Sequence, residues 1–245
     1  MDFFEDGVVK SELLLENGVI HGVSTKVQGN MSYDRDHHHQ AEKNINSFLT
    51  VLGLNLPDIS LVKLPVRHSP NIAVIGKLEH KGRIVLKEDD PAISNMYQAK
   101  HQAGFDAGIS KAKETFIGIL PADCAPVMLF DPIKHYYALV HAGRAGVENG
   151  IIFKTIYVLK TLLKVSQTSL LCYIGPHICQ SCYLSNKIGY CNLAKEIIGQ
   201  LKMMCVTKIE KTKFCTYHHA DLFFSNARAK GSKDEGRHLA IIGRK

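Results

Sequence analysis

The feature that most constrains this chain is the stretch 118–146, GILPADCAPVMLFDPIKHYYALVHAGRAG. Two apolar, strand-like runs lie on either side of Asp131-Pro132, a dipeptide that favours a turn. The first apolar run closes on Cys124 and the second on His141, with small residues beside each that leave space. The seventeen positions from Cys124 to His141 suit a strand, a turn and a return strand, which brings both residues to one rim. A thiol and an imidazole on one rim are the beginnings of a metal or nucleophilic site. A third residue of that kind, His68, stands where the run LVKLPVRH gives way to a turn.

The rest of the chain alternates strands and helices irregularly. ENGVIHGVSTKV (16–27), ISLVKLPV (59–66), NIAVIG (71–76), LLCYIGPHI and the closing HLAIIG read as strands. QAEKNINSFLTVLGLN (40–55) has Ile45, Phe48, Leu49 and Leu52 at helical spacing, with Gly53 as a stop. Residues 147–166 predict one long helix, and NLAKEIIGQLKMMC another. Residues 77–104 read as irregular, with a turn at Asp89-Asp90-Pro91, and His37, His38 and His39 as a solvated loop. Hairpin-like pairs among these elements point to an α+β or mixed α/β layered sandwich with mixed sheets, not a doubly wound parallel fold. At 245 residues, with no internal repeat and no clear linker, the expectation is one domain spanning 1–245.

Bulk properties narrow the function classes. No apolar run approaches the roughly 20 residues that span a bilayer. The acidic start MDFFEDGVVK lacks the basic and apolar regions of a secretory signal, so the expectation is a cytoplasmic protein with no membrane partner. The net charge of +7 admits phosphate-bearing ligands. The lysines are spread along the chain, however, and no aromatic-basic motif points to nucleic acid. Seven cysteines in such a chain read as reduced thiols or metal ligands rather than a disulfide framework. Cys179-Gln-Ser-Cys182 is a lone CxxC with no second CxxC after it. Ordinary thiols, pocket lining and a second metal all stay open there.

His68, Cys124 and His141 together make a borderline-soft nitrogen and sulfur set suited to zinc, with copper as the alternative. Three protein ligands leave a fourth tetrahedral position open, which is the catalytic pattern. Asp123, beside Cys124, is a carboxylate placed to orient a ligand histidine, or to make a plain strand-end hydrogen bond. His218 and His219 read as structural.

PADCAPVMLFDP followed by ALVHAGRAG resembles the TADC and VHAGWRG pair of the multicopper polyphenol oxidase-like, or laccase-domain, family. HGVSTKVQG, LVKLPVRHS, FDAGIS, IGPHICQSCYLS and FCTYHHADLFFSNAR with EGR resemble further segments of that family in the same order. The likeness covers essentially the whole chain. It implies metal ligands at His68, Cys124 and His141, with Cys124, His141 and Asp123 at the reaction centre. It also implies a metal-dependent purine nucleoside phosphorylase acting on adenosine, inosine, guanosine and methylthioadenosine, together with deamination of adenosine. Nucleosides and phosphate are then the partners, and the oligomeric state is left open.

The family's older name implies a copper-dependent phenol oxidase. Such an enzyme holds its copper cluster largely with repeated His-x-His pairs. Among 13 histidines only His37–His39 forms one. Departures from the family pattern fall where anions would bind. HAGWRG has become HAGRAG, placing Arg144 at the tryptophan position and Ala145 at the arginine position. FFSYRR has become FFSNAR, with Ala227 and Arg228, and Lys26 stands where arginine is usual. The resemblance leaves Lys26, Arg144, Arg228 and Arg237 as the phosphate- and substrate-binding cations. Lysine presents a point charge rather than a bidentate fork. The altered pocket is also the motive for a third reading, a metal-binding regulatory protein that has lost turnover.

Overall fold

The computed structural model describes residues 2–33, 38–78, 81–85, 93–97, 104–185, 189–229, 231–232 and 235–245. In chain order, the strands and helices begin β1 (Asp2–Glu5), β2 (Val8–Ser11), α1 (Glu12–Leu15), β3 (Ile20–Ser24), α2 (His38–Val51), β4 (Ser60–Lys63) and β5 (Ile72–Ile75). They continue with β6 (Gly82–Val85), β7 (Ile93–Tyr97), β8 (Ala107–Ser110), β9 (Thr115–Ile119), β10 (Ala125–Phe130), β11 (Tyr137–Ala142), α3 (Arg144–Glu148) and α4 (Ile151–Thr161). The last are β12 (Leu171–Ile174), β13 (Leu184–Ser185), β14 (Gly189–Tyr190), α5 (Leu193–Met203), β15 (Lys208–Lys211), α6 (Asn226–Ala229) and β16 (Ala240–Arg244).

Two mixed sheets form, in the orders β1-β2-β3-β16-β9-β4-β6 and β15-β12-β10-β11-β8-β5-β7. The period-2 alternation of the strands explains how they stack. In β10, Val127 and Leu129 join a core shared with α4 and α5, while Met128 and Phe130 join a core between the sheets. In β11, Ala138 and Val140 face the helices, while Tyr137 and Leu139 face the other sheet. From that other sheet, Ile117, Ile119, Ala240 and Ile242 fill the same gap. Its outer face, with Phe116 and Ile241, packs on Ile45, Phe48 and Leu49 of α2. The result is a helix, sheet, sheet, helix sandwich, the layered mixed-sheet fold expected from the sequence.

Some boundaries differ, each for a local reason. The long helix expected over 147–166 is two, α3 and α4, because Gly150 takes a left-handed conformation (φ 74°) between them. Hydrophobic periodicity runs across such a glycine without registering it. Strands β6 and β7 lie within the segment read as irregular, since their pairing to β4 and β5 is long-range. The expected turn at 89–91 lies outside the described residues. His38 and His39 open α2 rather than sitting in a loop, and His37 lies outside the described residues. Cys124 does not close a strand. It directly precedes β10, and β9, which ends at Ile119, belongs to the opposite sheet. The loop 120–124 carries the chain from one sheet to the other.

Candidate metal centre and active site

The pairing of β10 with β11 sets Ala125 opposite Ala142 and Pro126 opposite His141. Cys124 at the head of one strand therefore meets His141 at the foot of its neighbour, on the rim that the sequence pattern implied. Both share the strand parity of the residues facing the opposite sheet, so the site sits at the open end of the sandwich. His68 arrives from the link between β4 and β5, again a crossing between sheets. It does so with a left-handed backbone (φ 56°), a conformation that costs energy in a non-glycine residue.

Asp106 holds that turn. Its Oδ2 accepts the backbone N–H of Arg67 (2.9 Å) and Ser69 (2.6 Å), and its Oδ1 accepts that of His68 (2.9 Å). The same Oδ1 lies 2.8 Å from Nδ1 of His141, so the ring is fixed in orientation and Nε2 is the nitrogen left for a metal. Burial opposes ionisation of Asp106, but the His141 ring and these backbone donors outweigh it and keep the carboxyl below its ordinary value.

The ligand atoms of His68, Cys124 and His141 all lie within 4.8 Å of one another, with Cys124 Sγ 3.7 Å from His68 Nε2. Zn–S and Zn–N bonds of roughly 2.3 and 2.1 Å at a tetrahedral angle put sulfur and nitrogen about 3.6 Å apart. The donor set thus fits a tetrahedral metal. Gly143 makes the room: a Cβ there would stand 2.8 Å from both Cys124 Sγ and His68 Cδ2. The Cys124 sulfur and the His141 and His68 rings bias one another's charge. Burial raises the Cys124 thiol, yet the His141 and His68 rings more than offset this and bring it down to about 6. Burial lowers His141, yet the Cys124 sulfur and Asp106 carry it up to about 10.

The triad opens into a cavity of about 630 Å³, bordered by Lys63, Arg67, Asp123, Tyr183, Asn226 and Arg237 among others. Of the four cations implied by resemblance, only Arg237 lines it. Lys26 donates to the carbonyl of Ala220 (2.8 Å) and lies over the Phe224 ring. Arg144 pairs with Glu148 one helical turn on (3.0 Å), beside a separate cleft. Arg228 spends its guanidinium on the carbonyls of Thr216, Tyr217 and Phe223. Lys63 and Arg67 stand in the cavity wall in their place. Asp123 does not orient a ligand histidine. Its two oxygens accept the Thr216 hydroxyl and the Ala227 N–H, each at 2.6 Å, and the histidine's carboxylate partner is Asp106. The signal for Asp106 was FDAGIS, a matched segment whose carboxylate had no assigned task.

The profile of the multi-copper polyphenol oxidoreductase laccase family matches residues 17–188 and 185–245. The chain belongs to that family. A purine nucleoside phosphorylase of Staphylococcus aureus is 26% identical to this family member, with 95% of this chain and 94% of that one covered. A purine nucleoside phosphorylase of Clostridium acetobutylicum is 31% identical over 57% of this chain and 67% of its own. A protein named adenosine deaminase, from an unknown prokaryote, is 28% identical over 54% of this chain and 45% of its own. Other relatives match over as little as 26% of their length. The crystal structure of YlmD from Geobacillus stearothermophilus superimposes with a TM-score of 0.80, covering all of both chains at 20% identity, and shares the fold.

Proposed function

We propose that this chain is a metal-dependent purine nucleoside phosphorylase. One observation carries the reading: the His68, Cys124 and His141 donor set opens into a cavity whose wall holds Lys63, Arg67 and Arg237. Relatives named purine nucleoside phosphorylase support it. The cavity falls within the roughly 300–1,000 Å³ typical of small-molecule sites. A metal with three protein ligands supplies Lewis acidity at its open position, and zinc suits this donor set.

In phosphorolysis a phosphate oxygen bonds to C1′ of the ribose while the C1′–N9 bond breaks. The purine leaves with the electron pair and takes up a proton. Arg67 and Arg237 offer charged donors to the phosphate, and Lys63 adds positive charge to the same wall. Asn226 and Tyr183 present an amide and a phenol to the base. Asp106 is a positioning residue that keeps His141 Nδ1 protonated and its ring fixed.

The test is mass spectrometry of products after zinc-loaded protein meets adenosine and phosphate. Adenine with ribose 1-phosphate, absent with Cys124→Ala, is the expected result. Inosine alone replaces phosphorolysis with deamination. Nucleoside binding without any product makes the chain a binding protein, and oxygen uptake with a phenol makes it an oxidase.

A further inference from the structure

A second group of soft donors lies outside this site. Cys179, Cys182, Cys215 and His218 place one ligand atom each within 4.8 Å of the others. Cys182 Sγ stands 3.1 Å from His218 Nε2, and Cys179 Sγ is 3.7 Å from His218 Nδ1. The two distances run to different nitrogens of the ring, of which one serves a single ion; the four donor atoms, all within 4.8 Å of one another, bracket the roughly 3.6–3.8 Å edges of a tetrahedral zinc site. The sequence pairing is Cys-x-x-Cys at 179–182 and Cys-x-x-His at 215–218. The lone CxxC therefore has its second half, with histidine in place of the fourth cysteine.

The backbone around the cluster is built as such sites are. Residues Gln180–Cys182 form a single 3-10 turn, and the N–H of Cys182 returns to the carbonyl of Cys179 (3.1 Å). On the other side, the N–H of His219 returns to the carbonyl of Cys215 (3.0 Å). The N–H of Cys179 donates to Cys215 Sγ (3.3 Å), a contact that favours an anionic sulfur. Cys179, Cys182 and Cys215 form no disulfide. A single isolated bridge, His177 with Cys215, is the ladder contact between the two segments.

We propose that Cys179, Cys182, Cys215 and His218 bind a structural zinc ion that clips residues 177–185 to residues 212–219. Three thiolates and an imidazole complete a tetrahedron, so the site is closed, unlike the open three-ligand centre. Three soft sulfurs select zinc over hard cations. The clip holds one wall of the cavity. Cys182 precedes Tyr183, which borders it, and Cys215 precedes Thr216, whose hydroxyl secures Asp123 beside Cys124. The inference does not depend on which reaction the chain performs.

The test counts metal by native mass spectrometry and elemental analysis on the full chain, purified from zinc-supplemented cells under reducing conditions. Cys124→Ser empties the open centre and is expected to leave one zinc per chain. Adding Cys215→Ser to it is expected to leave none, while His218→Cys in its place keeps the ion. Should Cys215→Ser fail to fold, cobalt replacement in the folded Cys124→Ser protein decides. A thiolate-to-cobalt charge-transfer band of three-sulfur intensity supports the clip, and its absence overturns it. A metal-free Cys124→Ser protein, iron in place of zinc, or a chain two hydrogens lighter with Cys179 bonded to Cys182 overturns it as well.

Discussion

Asp106 does at the residue scale what no neighbouring carboxylate can do for it. It restrains three successive backbone N–H groups and a ligand ring at once. Loss of such a support typically costs about 10–100-fold in metal affinity. Asp106→Asn is expected to weaken zinc binding by that factor in chelator competition, whereas Asp123→Asn, whose contacts run to Thr216 and Ala227, is expected to change it far less. The charge bias between Cys124 and His141 gives a second expectation. The free site holds a proton on His141 up to about pH 10, and Cys124 is already a thiolate above about pH 6. Binding a metal expels that proton, so affinity rises roughly tenfold per pH unit between those values. A flat titration would contradict the pairing. In the cavity wall, Arg67→Ala and Arg237→Ala are each expected to raise KM for phosphate roughly tenfold to hundredfold. Arg144→Ala, already paired to Glu148, has the smaller effect. The three candidate donors were legible in the sequence because His68 and His141 lie at the close of apolar runs and Cys124 borders one, although that run is β10, which follows it. Arg67 and Asp106 were not, because their tasks depend on which strands lie side by side.

Elements show the same division. Amphipathic periodicity located α2 and α5 within a few residues, since a buried stripe repeats on the scale of a helical turn. The break at Gly150 needs a backbone angle that periodicity does not encode. Strand order was invisible for a further reason: β8 lies beside β11, and only that pairing, Val140 with Ala107, carries Asp106 to His141. On α4, Ile156 is fully buried against the sheet. Ile156→Ala is expected to cost about 2–5 kcal/mol. It should lower the denaturant midpoint with the slope unchanged.

For the whole molecule, buried histidines set the response to acid, His21 and His238 most strongly, with His177 lowered by burial in the same sense. His21 accepts the Ser11 N–H and His238 accepts the Phe224 N–H, and burial lowers both to about 4. Unfolding restores their ordinary value near 6.5. Below about 6.5 the unfolded chain binds protons that the folded one refuses, so this stability is present above 6.5 and is lost as pH falls toward 4. The loss is on the order of 3 kcal/mol for each ring. The raised His141 works in the opposite sense, its contribution complete below 6.5 and lost toward 10. Thermal melts across pH 7 to 4 should show a steady decline that His238→Gln makes shallower.

The candidate donors His68 and Cys124 both ride on crossings from one sheet to the other, the first between β4 and β5 and the second between β9 and β10. Neither sheet alone assembles the donor set. Metal capture by this donor set would therefore report on the docking of the two sheets, a step that must wait for contacts distant in the chain. In a stopped-flow refolding experiment, capture of zinc from a chromophoric chelator by this centre is expected to lag behind the far-ultraviolet signal of strand and helix formation.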